Sequence, residues 1–209
     1  HERLVGSEMC IRDRDNNIKK DHVDLDLFDN SIISYEAKRN YISECEAEAL
    51  AQKKIFNSNG VSFTEAKSNF ILKNSNGFSS GRRSSIFSVS CDVLAKEEES
   101  MERDYEYSSK RFFCDLTKPK DIGRIAAERA SARLSPKKIN SFTGHAVFEP
   151  RVSSSFLSHL ISSISGHNLA RKVSFIKGDI GEILFQENIN VIDDPLIKKG
   201  LGSRNFDSE

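Results

Sequence analysis

Between Ser84 and Leu94 the chain reads SSIFSVSCDVL, and its side chains sort by parity. Ser85, Phe87, Val89, Cys91 and Val93 fall on one face, and Ile86, Ser88, Ser90 and Asp92 on the other. Side chains of an extended chain alternate, so the run predicts a half-buried strand with its odd-numbered face inward. Such a strand needs neighbours on its edges and a layer over its apolar face.

The flanking sequence offers both. The acidic stretch KEEES (96–100) reads as a solvated turn, and Met101–Leu116, with Tyr105, Tyr107 and Phe113, as a returning strand. Asn59-Gly60 and Asn76-Gly77 bracket Val61–Lys73. Asn and Gly tolerate the positive φ of tight turns, so hairpins are expected there, in an antiparallel sheet. Asp21–Phe28 alternates too, with Val23, Leu25 and Leu27 on one side and the aspartates toward solvent, as a strand or extended segment.

Helical spacing supplies the covering layer. Ser34 to about Lys54 repeats at Ala37, Tyr41, Cys45, Glu48 or Ala49, and Gln52, with Ser34 as N-cap. Pro119 opens a second helix carrying Ile122, Ile125, Ala126, Ala130 and Leu134, which ends before Ser135-Pro136. After the apolar AVF (146–148), Pro150 opens a third with Phe156, Leu157, Leu160, Ile161 and Ile164, and Gly166 is expected as its C-cap. Ile180–Ile192 alternates loosely and is expected to return to strands. The expected class is α+β, with mixed or antiparallel sheets, amphipathic helices and a boundary near residues 140–146.

Composition narrows the function. The 209 residues are 37% hydrophobic and 30% charged, which suits a soluble globular protein, and 31 basic residues balance 31 acidic ones. No global field draws the chain to nucleic acid or an anionic membrane. No apolar run reaches the roughly 20 residues of a membrane-spanning helix and no secretory signal opens the sequence, so the expected compartment is the cytosol. Cys10, Cys45, Cys91 and Cys114 are scattered without a CxxC pair, and isolated reduced thiols are expected. Residues 1–14 share no helical or alternating pattern with the rest of the chain, and VGSEMCIRDR (5–14) resembles translated sequencing-adapter sequence. They are set aside as non-native, and the chain reads as an internal fragment cut at both ends.

Several ordered blocks carry a resemblance. NGFSSGRRSS (76–85) leads into FSVSC (87–91). Then come MERDYEY (101–107), AAERA (126–130) with RLSPK (133–137), SHL (158–160) through ISG (164–166) to SF (174–175), and GLGS (200–203) with FDSE (206–209). In this order they resemble the PmbA (TldE) branch of the TldD/PmbA family. The resemblance assigns residues 15–143 to the family's middle α+β region and 144–209 to the start of its C-terminal domain.

What the resemblance implies is a large protein whose TldD-like and PmbA-like subunits pair and process or degrade unfolded peptides. The metal-bearing branch carries His-Glu-x-x-x-His, two imidazoles for zinc and a glutamate as general base. Here His159 matches the first histidine, but Leu160 replaces the glutamate and Ile164 the second histidine. His167 lies eight residues beyond His159, about 12 Å along a helix and too far to share an ion. No catalytic, cofactor or metal residue is therefore assigned to this chain, and zinc is expected in a TldD-like partner.

Other groups are weighed against plain structural roles. Glu102 and Asp104 share a strand face opposite Arg103, and an ion-pair set is preferred to acid–base chemistry. Arg82-Arg83 and Lys137-Lys138 are read as solvated turns rather than phosphate contacts. That weighs against direct nucleic-acid binding, despite the family's older description as a modulator of DNA gyrase. Ser153, Ser154, Ser155, Ser158, Ser162 and Ser163 surround His159 without a Gly-x-Ser-x-Gly elbow and are read as helix-surface serines. The leading expectation is a heterodimeric peptidase subunit that is inactive alone. The alternative is a non-catalytic peptide- or partner-binding regulator, as a homodimer.

Overall fold

The structure is a computed structural model that describes residues 23–73, 77–176, 181–186 and 188–206. The adapter-like segment 1–14 and the start of the Asp21–Phe28 alternation lie outside the described residues.

Ser34 caps helix α1, Tyr35–Leu50, its hydroxyl accepting from the Ala37 amide at 3.1 Å. That bond satisfies one of the free donors of a first helical turn. Strands β1 (Ile55–Lys73), β2 (Ser79–Glu97) and β3 (Ser100–Lys110) come next as a three-stranded antiparallel sheet in the order β1-β2-β3. A 3₁₀ turn, Phe113–Asp115, leads to helix α2, Pro119–Ala132.

The odd face of β2 behaves as its alternation requires. Phe87, Val89, Cys91, Val93 and Ala95 are fully buried against Cys45 and Ala49 of α1 and Ile122, Ala126 and Ala130 of α2. The small residues of α2 let the helices approach closely: a β-carbon on Gly123 would lie 2.2 Å from the Cys45 carbonyl oxygen. Across the sheet, Val61 pairs with Cys91, and Cys91 with Glu106.

The chain divides into two compact units, His1–Lys137 with Asp193–Glu209, and Lys138–Ile192. The second contains helices α3, Pro150–Ile164, and α4, Gly166–Ala170. Among the described residues no helix is long and apolar enough to cross a membrane.

The α+β class stands, but several local expectations do not. Asn59-Gly60 is no hairpin turn: it sits inside β1, where the register slips between Ser58 and Gly60 and Gly60 takes φ 111°. Positive φ serves a β-bulge as well as a turn, and the dipeptide does not distinguish them. The β1–β2 connection falls at the second signal, where Gly77 has φ 86° and residues 74–76 lie outside the described set.

The returning strand stops at Lys110, six residues short, because Phe113–Asp115 coils to let α2 fold back over the sheet. Helix α1 ends at Leu50, with Ala51 as its cap. Gly166 begins α4 instead of capping α3, and the described part of 180–192 forms no strand. In the Asp21–Phe28 segment Leu25 and Leu27 are buried and Asp24 and Asp26 exposed, as their spacing requires, but Val23 is exposed and no strand forms. The thiols of Cys45 and Cys91 are not isolated: both are free and buried in the same core cluster, and the nearness of Cys91, with burial, pushes Cys45 up.

Candidate functional site

Strand β3 accompanies β2 only from Phe87 to Glu97, so the first half of β2 lacks a third strand. Part of that vacant edge is taken by the segment before α1. The Ser85 amide donates to the Leu27 carbonyl at 3.0 Å, and the Leu25 carbonyl accepts from the Lys199 amide at 2.8 Å.

Asp29, Ser85 and Arg111 lock this junction. Asp29 accepts from the Ser31 amide at 2.8 Å and the Phe113 amide at 3.0 Å, and its own amide donates to Ser85 Oγ at 2.8 Å. Burial pushes the Asp29 carboxyl up, but the bonds from Ser31 and Phe113 outweigh it and hold the pKa below the ordinary value. Ser85 Oγ donates to the Arg111 carbonyl at 2.7 Å. The Arg111 guanidinium donates to the carbonyls of Ser85 at 3.1 Å, Gly200 at 3.2 Å and Leu201. Burial lowers its pKa, yet an arginine keeps its charge.

Beside this junction lies an open cleft of about 470 Å³, walled by residues 23–28 on one side and Gly81, Arg82 and Arg83 on the other, with Asn205 at its margin. The Arg83 guanidinium stacks 3.7 Å from the centroid of the Phe28 ring, and Arg82 lies 5.0 Å from that of Phe70 and 5.6 Å from that of Phe206. Arg82-Arg83 is therefore no solvated turn: the pair lies in β2, and its aliphatic stems and planar heads pack on aromatic faces. Arg82 Nη1 and Asn205 Oδ1 are buried without hydrogen-bond partners. Each such atom costs about 1–3 kcal/mol.

The other predicted residues take structural places. Glu102, Asp104 and Glu106 face α2. Arg133 sits 3.2 Å from Asp104 and 3.9 Å from Glu102, and Arg129 pairs with Glu106. Arg103 points the other way and pairs with Asp92 at 3.0 Å. The MERDY cluster thus fastens β3 to a helix and to β2. Lys137 and Lys138 are exposed in the connection after α2.

His159 and His167 are exposed, 159 on α3 and 167 on α4, and His167 Nε2 lies 3.3 Å from the Arg171 guanidinium. The hydroxyls of Ser153, Ser154, Ser155, Ser158 and Ser163 bond to carbonyls one turn back, and Ser162 Oγ accepts from Asn168 at 3.1 Å. Such bonds turn a serine toward its own helix rather than toward a base. Zinc does not fit this helix. Leu160 and Ile164 carry no donor atom, and no group of three or more His, Cys, Asp or Glu that could hold a metal occurs among the described residues.

Sequence comparison decides the family. Residues 28–134 match the PmbA/TldA metallopeptidase central domain, and residues 142–209 the PmbA/TldA metallopeptidase C-terminal domain. The chain belongs to the PmbA/TldD family. The metalloprotease PmbA of Escherichia coli O157:H7 is 34% identical over 190 residues, 90% of this chain and 42% of that protein. A Bacteroides thetaiotaomicron crystal structure, provisionally named a modulator of DNA gyrase, superposes with a TM-score of 0.83 at 30% identity, over 90% of this chain and 44% of that one. A Thermotoga maritima structure with the same provisional name shares the fold, with a TM-score of 0.79 at 20% identity, over 91% of this chain and 44% of that one. This PmbA/TldD chain thus spans about two fifths of the length of the curated relatives it matches.

Sequence reasoning missed the junction and the cleft. Arg111 is one arginine just past a strand and Asn205 one polar residue among several in its segment, and neither carries a spacing signal. Arg82 was visible as a charge, but the aromatic rings that hold it come from Phe70, opposite it on β1, and from Phe206, far along the chain.

Proposed function

We propose that this chain is part of a PmbA/TldE-type subunit of a heterodimeric zinc metallopeptidase that processes unfolded peptides, and that it contributes no zinc ligand of its own. The observation that carries the reading is the α3 helix, where His159 is followed by Leu160 and Ile164 instead of a glutamate and a second histidine, within a chain similar to PmbA metalloproteases over nine tenths of its length. In the TldD-like partner, zinc would polarise the scissile carbonyl and lower the pKa of its water. This subunit would hold substrate and complete the channel. Residues 15–143 would form the family's middle region and 144–209 the start of its C-terminal domain, in a cytosolic complex.

The test is reconstitution. The full-length protein mixed with a TldD-like partner should cleave an unfolded peptide, a chelator should stop the cleavage, and the subunit alone should neither cleave nor take up zinc. Chelator-sensitive cleavage by the isolated subunit overturns the division of labour. A stable homodimer that binds peptide but never activates a TldD-like partner favours the regulatory alternative.

A further inference from the structure

Two thiols share one place in the core. Cys91 stands on the inward face of β2 between Val89 and Val93, and it is fully buried. Cys45 is fully buried too and enters the same cluster from α1. Both are free, and the nearness of Cys91 influences the Cys45 thiol more than burial does. Burial alone accepts aliphatic side chains at such places, as Ala49 on α1 and Val89 and Val93 on β2 show. Two thiols set against each other can form a bond that no aliphatic pair can.

The helix that carries Cys45 is held lightly. Of the 16 residues of α1 only Cys45 and Ala49 are buried, and both are small. Its other ties are the Tyr41 ring, which meets Phe63 and Phe113 at 6.0 Å between centroids, and polar contacts toward the surface. Lys38 pairs with Glu65, the Tyr41 hydroxyl donates to the Thr117 carbonyl, and Glu44 lies 3.8 Å from Lys120. Strand β2, by contrast, buries Phe87, Val89, Cys91, Val93 and Ala95 and is paired on both edges. Local opening follows the number of buried apolar contacts that must be broken, so α1 should lift before the sheet comes apart. Lifting it takes Cys45 out of the core and removes one wall of the site around Cys91. In the closed fold neither thiol meets solvent, and buried thiols are inert.

We propose that Cys45 and Cys91 form a redox latch, a reversible disulfide that fastens α1 to β2 when a small-molecule disulfide oxidises the pair. The thiolate of one cysteine attacks a sulfur of the small disulfide and expels its first thiol. As α1 closes, the other cysteine attacks the protein-bound sulfur and expels the second thiol. Two protein thiols are oxidised, one small disulfide is reduced to two thiols, and the cysteine protons pass to the departing thiolates. The new bond closes a loop that contains the whole of β1, which restricts the open state more than the closed one. The segment before α1 bonds to β2 through Leu27 and Ser85, so fastening the helix holds that segment down as well. Nothing in the latch depends on the peptidase reading.

The experiment uses the 209-residue chain with Cys10→Ser and Cys114→Ser, which leaves two thiols. It is equilibrated in mixtures of reduced and oxidised glutathione, once in native buffer and once in concentrated urea, and the linked fraction is counted by alkylation and peptide mass mapping. A peptide containing Cys45 should appear joined to one containing Cys91. The equilibrium constant for that bond should be higher in native buffer by about tenfold or more, because a fold that favours the bond is favoured by it through the same factor. In the oxidised chain the α1 amides should exchange with deuterium about tenfold more slowly than in the reduced chain.

An equilibrium constant no higher in native buffer than in urea overturns the latch and leaves the two cysteines as plain core packing. Linkage between chains instead of within one overturns it too, as does α1 exchange that oxidation leaves unchanged. Should the two serine substitutions disturb folding, the same mapping on the unsubstituted chain decides: Cys45–Cys91 must outnumber every other pairing, and any other dominant pair overturns the latch.

Discussion

Helices α2 and α3 are of nearly equal length, 14 and 15 residues, and both open on proline, yet they are buried very differently. Helix α2 buries Ile122, Gly123, Ala126, Ala127 and Ala130 against α1 and the sheet. On α3 the one buried residue is Ser163, while Phe156, Leu157, Ile161 and Ile164 are each about half exposed or more. Helical spacing marks which face seeks a partner; it does not say whether a partner lies within reach. Small residues on α2 permit backbone contact inside its own unit. The large residues of α3 need a deep apolar surface, which the described residues of its unit do not supply.

The contrast can be broken by substitution. Phe87→Ala, under α2, should lower stability by about 3–5 kcal/mol, the cost of emptying an aromatic site in a packed core. A loss below about 1 kcal/mol, measured by urea unfolding, would mean that the core seen here is not close-packed.

Gly123→Ala should come next. Alanine in an exposed helix is ordinarily stabilising relative to glycine, but here the new β-carbon would sit 2.2 Å from the Cys45 carbonyl oxygen. The sign should therefore reverse, to a loss of about 1–3 kcal/mol. An unchanged or higher melting temperature would show that α1 and α2 can separate freely.

Asp29→Asn should cost about 1–3 kcal/mol at neutral pH, since the amide cannot accept from both Ser31 and Phe113. The folded carboxyl has a depressed pKa, so its contribution is complete above the ordinary carboxylate range and is lost as pH falls through the folded value. The gap between the two proteins should accordingly close in acid. A gap that stays constant between about pH 7 and pH 3 would place the effect in packing rather than charge.

Ile161→Ala on α3 should have the smallest effect, within about 0.5 kcal/mol, as expected of an exposed site. A loss comparable to that of Phe87→Ala would show that α3 is covered in solution, and would place it with α2.

Much was legible in the sequence for reasons that are local. The parity of residues 85–93, the Ser34 cap and the Pro119 helix start depend on neighbours within a few residues, and the structure repeats each of them. The opposed faces of Glu102, Arg103 and Asp104 come from the same alternation. Where two structures share one local requirement the sequence was ambiguous: Asn59-Gly60 satisfies a bulge and a turn equally, and the loose alternation of 180–192 carries no cost that enforces pairing. That Leu160 and Ile164 carry no metal-donor atom is likewise written in the sequence, because ligand chemistry belongs to residue type.

Only tertiary structure brought Cys45 to Cys91, Arg111 to the carbonyls of Gly200 and Leu201, and Arg82 to Phe70 and Phe206. Apart from Phe70, the cross-strand neighbour of Arg82, the partners lie tens of residues apart, where no periodicity links them. The Arg111 contacts exist because β3 ends early and the segment before α1 fills in beside β2, and packing rather than local pattern decides which segment takes that edge.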